Sequence, residues 1–247
     1  MGLLSAGITD IGQKRKTNQD SIYMNPEKHL FIVADGMGGH NGGDIASAMA
    51  IKHIPEYIIQ HYEDEPQYAA EASVQAANFA IKRKSETSQL FKGMGTTTVS
   101  LYFKGSNVYV ANVGDSRAYL VHKHKLFQLS KDHSLVQEKI NLGIYTREDG
   151  ARDPNKNVLV RAVGFEEDVN IDVFTYKVCR GDLFFICSDG LHGMIHDSDI
   201  LEIINHYIKD PLTATSADVE KTVRVLINLA NNNGGNDNIS LIMVIAR

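Results

Sequence analysis

The stretch LFIVADGMGGHNGGDIASAMA, residues 30–50, joins an unbroken apolar run to an Asp-Gly pair, a glycine-rich bend and a helical pattern. Leu30 to Ala34 show no polar alternation, as expected of a strand buried on both faces. Behind the bend, Ala46, Met49, Ala50, Ile54, Tyr57 and Ile58 recur at three- and four-residue spacing. A helix is therefore predicted over 43–62, kinked or restarted at Pro55. A glycine-rich loop between strand and helix suggests a nucleotide site. The dinucleotide fingerprint fails, because Asn41 stands where its third glycine belongs, and no Gly-Lys-Ser/Thr triplet completes a P-loop. Taken singly, Asp35-Gly36 reads as a turn.

Outward from this stretch, β-rich runs bounded by Gly, Asn, Asp or Ser occur at 4–9, 21–24, 29–34, 96–103, 107–112, 117–122, 126–129, 170–178, 182–187 and 238–246. The HKHK segment, 122–125, reads as a solvated hairpin tip. Further helices are predicted over 67–84, over 197–208 with an Asp cap, and over 216–232 opening on Ser216. Strands and helices come in blocks, which argues against a doubly wound parallel sheet. The expected fold is α+β: a central antiparallel β-sandwich flanked by pairs of helices, in four α-β-β-α layers. Residues 1–247 are expected to form one domain, with a polar, mostly irregular functional insert at about 132–164.

With 43% hydrophobic residues the chain is an ordinary globular protein, and its net charge of −5 argues against nucleic-acid binding. No apolar run is long enough to span a bilayer, and MGLLSAGITD lacks the features of a signal peptide. Ala6 occupies the hydroxyl position of a myristoylation motif. Cys179 and Cys187 read as small buried hydrophobes rather than a disulfide framework. A cytoplasmic monomer without membrane contact is expected.

Asp35-Gly36 is not alone. Asp189-Gly190 follows the apolar run LFFIC, Asp115 follows Asn112-Val113-Gly114, Asp237 precedes the last strand, and Asp20 opens an early one. Five carboxylates thus stand at strand ends beside Gly or Asn. They are either turn formers or ligands of a hard cation. Oxygen donors without Cys or His fit Mg²⁺ or Mn²⁺ rather than Zn²⁺.

The segments RKTNQD (15–20), VADGMGGHNGG (33–43), GMGTT (93–97), ANVGDSRAYL (111–120), KDHSLV (131–136), FICSDGL (185–191) and GGNDNISLIMV (234–244) occur in the order and at about the distances of one family. Across essentially the whole chain the sequence resembles the metal-dependent Ser/Thr protein phosphatases, the PPM or type 2C family, and most closely its compact bacterial members. The resemblance implies two Mg²⁺ or Mn²⁺ ions per chain, with a weaker third. Asp35 would bridge the two, Asp189 and Asp237 would complete one, and Asp20 with the carbonyl oxygen of Gly36 would hold the other. Asp115, with Asp189, would hold the third. Arg15 would bind substrate phosphate, whereas Lys14 and Lys16 read as surface charge.

The family implies hydrolysis of phosphoserine and phosphothreonine by water activated between two ions ~4 Å apart, with no covalent nucleophile. Phosphoprotein substrates and an opposing Ser/Thr kinase are the implied partners, and 132–164 is the implied flap, with Arg147, Arg152 and Lys156 available to substrate. One departure concerns the leaving-group acid: Met37 stands where many eukaryotic relatives carry His. His40 is the nearby candidate, against a plain role as a polar loop residue. The alternatives are a metal-dependent hydrolase of small phosphate esters and a non-catalytic binding relative. Loss of acidic residues would favour the latter, and every expected Asp is present.

Overall fold

The computed structural model describes residues 2–38 and 42–247. Within them the chain runs β1 (Leu3–Asp10), β2 (Asp20–Asn25), β3 (Leu30–Met37), α1 (Gly43–Gln60), α2 (Pro66–Glu86), β4 (Gly95–Thr96), β5 (Thr98–Lys104), β6 (Asn107–Val113), β7 (Arg117–His122), β8 (Lys125–Gln128), α3 (Leu135–Asn141), α4 (Arg147–Arg152), β9 (Asp172–Lys177), β10 (Leu183–Cys187), α5 (Asp189–His192), α6 (Asp197–Tyr207), α7 (Ser216–Asn232) and β11 (Ile239–Ala246). Among the described residues the strands form two sheets, ordered β1-β11-β10-β7-β8 and β2-β3-β5-β6-β9, with β4 paired to β3. Every pairing is antiparallel. The α+β sandwich expected from the sequence is the fold observed.

The pleat sorts each strand between two cores. In β3, Phe31 and Val33 enter the layer between the sheets, while Leu30, Ile32 and Ala34 face α1 and α2. In β10, Phe184 and Ile186 point between the sheets, and Leu183, Phe185 and Cys187 pack against α6 and α7. Both faces are buried, which is why these strands carry continuous apolar runs. Phe103 ties the two sheets together. Its ring lies edge-on to Phe31 at 6.0 Å and to Phe184 at 5.3 Å, contacts worth about 0.5–1.5 kcal/mol each beyond burial.

Followed toward one end of the sandwich, the inter-sheet positions turn polar together. The series is Met24, Ile22, Asp20 in β2, and Phe31, Val33, Asp35 in β3. It is Val108, Val110, Asn112 in β6, Phe184, Ile186 and then Ser188 after β10, and Val244, Ile242, Ser240 in β11. One end of the apolar layer therefore finishes in carboxylates, amides and hydroxyls.

Several local expectations need correction. Helix α1 does not restart at Pro55 but runs unbroken through it. Proline costs a helix interior roughly 3 kcal/mol, and the buried Ile54 and Ile58 on either side offset it by holding the helix to the sheet. Asp197 and Ser216 are not the caps. Asp197 lies in the first turn of α6 after His196, and α7 is opened by Thr215 in a capping box with Asp218. The 132–164 insert contains two short helices, α3 and α4, and is otherwise irregular, as expected. Arg152 and Lys156 are exposed there, while the Arg147 side chain lies outside the description. Cys187 is buried but Cys179 is exposed, so only the first is a core residue, and both are free thiols. Among the described residues no helix is long and apolar enough to cross a membrane.

Candidate metal centre

Strand register builds the site. Asp20 and Asp35 are paired Cα positions of β2 and β3, so their side chains leave the same face of the sheet. The opposite sheet brings Asp189, in the first turn of α5, and Asp237, just before β11. The four carboxylates act on one another. Burial raises the Asp20 carboxyl above the ordinary carboxylate range. The hydroxyls of Ser240 and Ser188 oppose the rise, and Asp189 and Asp237 add to it. Asp35 rises through burial and the charges of Asp20, Asp189, Asp115 and Asp237. Asp189 rises through burial and Asp237.

Hydroxyl and amide groups hold this polar end together. Ser188 Oγ donates to Asp20 Oδ2 at 2.8 Å across the sandwich, and itself accepts from the Ser240 amide at 2.9 Å. Thr97 Oγ1 accepts from the Asp35 amide at 3.1 Å and meets Ser116 Oγ at 2.7 Å. Asn238 accepts from the Gln19 amide at 2.8 Å and donates to the Ile11 and Thr17 carbonyls, tying the Arg15 loop to β11. That loop turns Arg15 inward, with Nη2 on Asp237 Oδ2 at 2.6 Å. Asn238, Ser188 and Thr97 are positioning groups that the sequence reading did not name. Their signal is a polar residue at a buried, period-two position, visible only once the faces are assigned.

Asp115 lies in the turn between β6 and β7, buried. Burial, then Asp189 and Asp132, raises its carboxyl. His192 donates from Nε2 to the Asp115 carbonyl oxygen at 3.0 Å. Burial, then Arg117, pushes the His192 imidazole down to about 3, so the ring is neutral. At Gly36 any Cβ would run into the Gly43 carbonyl oxygen and lie 2.6 Å from that of Gln19, so backbone groups crowd closely around this position. His40 lies outside the described residues.

The donor set fits hard cations. Asp20 Oδ1 and Asp189 Oδ1 are buried and accept no hydrogen bond. Such an orphaned carboxylate oxygen is costly unless a cation approaches it. Among the described residues no three Asp, Glu, His or Cys side chains converge into a ready-made cage. The side chains gathered here offer oxygen donors, which suit Mg²⁺-like ions that take one or two carboxylates and keep several waters better than a zinc site.

The family model for protein phosphatase 2C matches residues 12–236. The serine/threonine phosphatase stp of Listeria monocytogenes is 37% identical over 243 residues, covering 96% of this chain and 93% of that protein. The protein phosphatase PhpP of Streptococcus pneumoniae is 35% identical over 242 residues, covering 96% and 95%. The crystal structure of the Mycobacterium tuberculosis serine/threonine phosphatase PstP/Ppp superposes with a TM-score of 0.90 at 30% identity, covering 99% of each chain. The catalytic domain of PstP in complex with two manganese ions superposes with a TM-score of 0.84 at 31% identity, covering 98% and 97%. The four-layer sandwich, the carboxylates at its polar end and these likenesses agree: the chain belongs to the protein phosphatase 2C family and is a protein-serine/threonine phosphatase.

Proposed function

We propose that this phosphatase dephosphorylates phosphoserine and phosphothreonine in proteins with two divalent cations, Mn²⁺ or Mg²⁺, and so opposes a Ser/Thr kinase. Residues 1–247 act as one catalytic unit, with 132–164 as its flap. The observation that carries the reading is the gathering of four carboxylates, the desolvated Asp20 and Asp35 from one sheet and the desolvated Asp189 with the part-exposed Asp237 from the other. The two manganese ions of the PstP catalytic domain support it.

Asp35 would serve both ions, Asp189 and Asp237 one of them, and Asp20 with the Gly36 carbonyl the other; Asp115 and Asp189 would serve a weaker third. When bound, the ions supply Lewis acidity, drawing off phosphate charge and acidifying the attacking water. The chain supplies the rest. Arg15 sits on a half-exposed side chain beside Asp237, where its guanidinium can turn to a phosphate and hold two oxygens at once. Ser188, Thr97 and Asn238 fix the carboxylates or their backbone, so that little reorganisation is needed at the moment of reaction. Met37 offers no proton to the leaving alkoxide, so that task would fall to His40 or to a water held near Asp115.

The test is hydrolysis of a phosphothreonine peptide after chelation and after Mn²⁺ or Mg²⁺ add-back, with a nucleoside triphosphate as competing substrate. Loss on chelation, recovery on add-back and preference for the peptide are expected. Turnover that survives exhaustive chelation removes the metal reading, and preference for the nucleotide moves the enzyme to small phosphate esters.

A further inference from the structure

We propose that His133 is a positioning residue that couples the flap to the Asp115 turn, by holding the Gly114 backbone with one ring nitrogen and Asp172 with the other. The inference rests on the reading that Asp115 takes part in turnover.

His133 is buried, with a side chain 4% exposed, at the root of the flap. Its contacts with the turn are reciprocal. The His133 amide donates to the Gly114 carbonyl at 2.9 Å, and the Gly114 amide donates to Nδ1 at 3.2 Å. Because Nδ1 accepts, the ring proton of the neutral imidazole is on Nε2. Nε2 lies 3.2 Å from Asp172 Oδ2, and so donates to it. Arg161, from the far end of the flap, reaches Asp172 Oδ1 at 3.1 Å. Asp172 opens β9 and pairs in register with Asn112 of β6, two residues before Gly114. The ring is thus wedged between the Asp115 turn and the edge strand next to it. Burial lowers the imidazole's affinity for a second proton, which agrees with the neutral form.

The flap side is equally direct. The His133 carbonyl accepts from the Val160 amide at 2.9 Å, closing the base of the flap, and Ser134 pairs with Leu159. Ser134 also caps α3, accepting from the Gln137 amide at 3.2 Å. A displacement of α3 therefore acts on the backbone at His133, one peptide unit away, and through the ring on Gly114. Gly114 has little room to respond on its own. Its φ is +104°, and Thr97 fills the space where a Cβ would stand. Movement at His133 is therefore passed to the turn through two hydrogen bonds.

Two near-isosteres separate the halves of the ring. In His133→Asn the amide oxygen occupies the Nδ1 position and still accepts from Gly114. In His133→Gln the amide reaches the Nε2 position and still donates to Asp172, but Gly114 loses its acceptor. The experiment measures kcat and KM on a phosphopeptide at saturating Mn²⁺, with thermal melting, for both variants alone and combined with Asp115→Ala. His133→Asn is expected near wild type. His133→Gln is expected to lose roughly fivefold to tenfold in kcat, the value of one hydrogen bond, with KM little changed. In the Asp115→Ala background the same substitution should cost nothing further, because the route runs through Asp115. Equal losses from Asn and Gln, or an additive loss in the double variant, overturn the proposal. Should His133→Gln not fold, His133→Leu, which fills the same buried space without an acceptor for Gly114, decides: a kcat loss that vanishes with Asp115→Ala supports the coupling, and unchanged kcat overturns it. Wild-type turnover by Asp115→Ala alone would defeat the underlying role of Asp115, an outcome distinct from failure at His133.

Discussion

Asp20 and Asp35 face each other as registered partners across β2 and β3, two carboxylates on one face of one sheet. Like charges directly opposite destabilise a sheet, and burial sharpens the conflict. Without cations the carboxyls relieve it by holding protons. Asp20 moves from 3.8 to about 7, and Asp35 moves in the same direction. A raised folded-state value means that the native chain binds more protons than the unfolded one between about pH 4 and 7. The associated stability is present below the unfolded value and is lost as pH rises through the folded one. Chelated protein should therefore melt at a higher temperature at pH 5.5 than at pH 8. Asp20→Asn should flatten this difference, and Mn²⁺ should raise the pH 8 melt most. A chelated wild type with the same pH slope as Asp20→Asn would show that the pair carries no such strain.

The same carboxylates are expected to control turnover. Asp35→Asn and Asp237→Asn keep the shape of the side chain and remove its charge. Each should lower kcat on a phosphopeptide by orders of magnitude at saturating Mn²⁺. Neither should unfold the protein, because each removes one member of a repelling set. Circular dichroism and melting check the fold, and steady-state kinetics the rate. Near-normal kcat in either variant removes that residue from the centre.

The carboxylates were legible in the sequence because each stands beside Gly or Asn where an apolar run stops, and because the motifs recur in a known order. The layering was legible for a related reason: Leu30 to Ala34 and Leu183 to Cys187 show the unbroken hydrophobicity of strands covered on both sides. What stayed hidden depends on register. That Asp20 lies opposite Asp35 rather than a residue away is set by how β2 and β3 slide together, which no local pattern specifies. Ser188, Thr97 and Asn238 look in sequence like any polar residue at a strand end, and their function appears only when the inter-sheet face is traced through several strands. The unbroken path of α1 through Pro55 is a tertiary override of a local rule: sheet contacts at Ile54 and Ile58 outweigh the lost backbone bond.

Arg15 offers a test of local specificity within a basic run. Its guanidinium meets Asp237 at 2.6 Å, whereas no ion pair is seen for Lys14 or Lys16 among the described residues. If it turns to hold phosphate, Arg15→Ala should raise KM and lower kcat/KM by ~1.5–3 kcal/mol, the range for hydrogen bonds to charged groups. Lys14→Ala and Lys16→Ala should do much less. Equal losses from all three would mean a diffuse electrostatic attraction rather than a clamp.

Gly36 tests the backbone side of the centre. An added methyl would collide with the Gly43 carbonyl and crowd that of Gln19, both main-chain atoms that cannot rotate away. Gly36→Ala should cost ~3 kcal/mol or more in a urea melt, in line with other strained buried positions. Kinetics should also suffer, because the peptide that carries the Gly36 carbonyl must shift. A variant with wild-type stability and rate would show that the close packing here is dispensable.

Asp115 offers a test of whether a third ion binds apart from the first two. It approaches the centre from the β6–β7 turn, away from the registered Asp20–Asp35 pair, and its strongest charged neighbour is Asp189. A carboxylate outside the pair is not needed to hold two tight ions. Its ion should bind weakly, with mostly water ligands, and act on the phosphate or the leaving group. Asp115→Ala is therefore expected to keep two tightly bound metals by calorimetry while losing much of its turnover. The loss should be larger on a phosphopeptide, whose serine or threonine alkoxide is a poor leaving group, than on an activated aryl phosphate that departs without a proton. Loss of the tight pair would put Asp115 in the binuclear core instead. Wild-type metal content and equal, undiminished turnover on both substrates would reduce it to a turn residue, and the third ion would go with it.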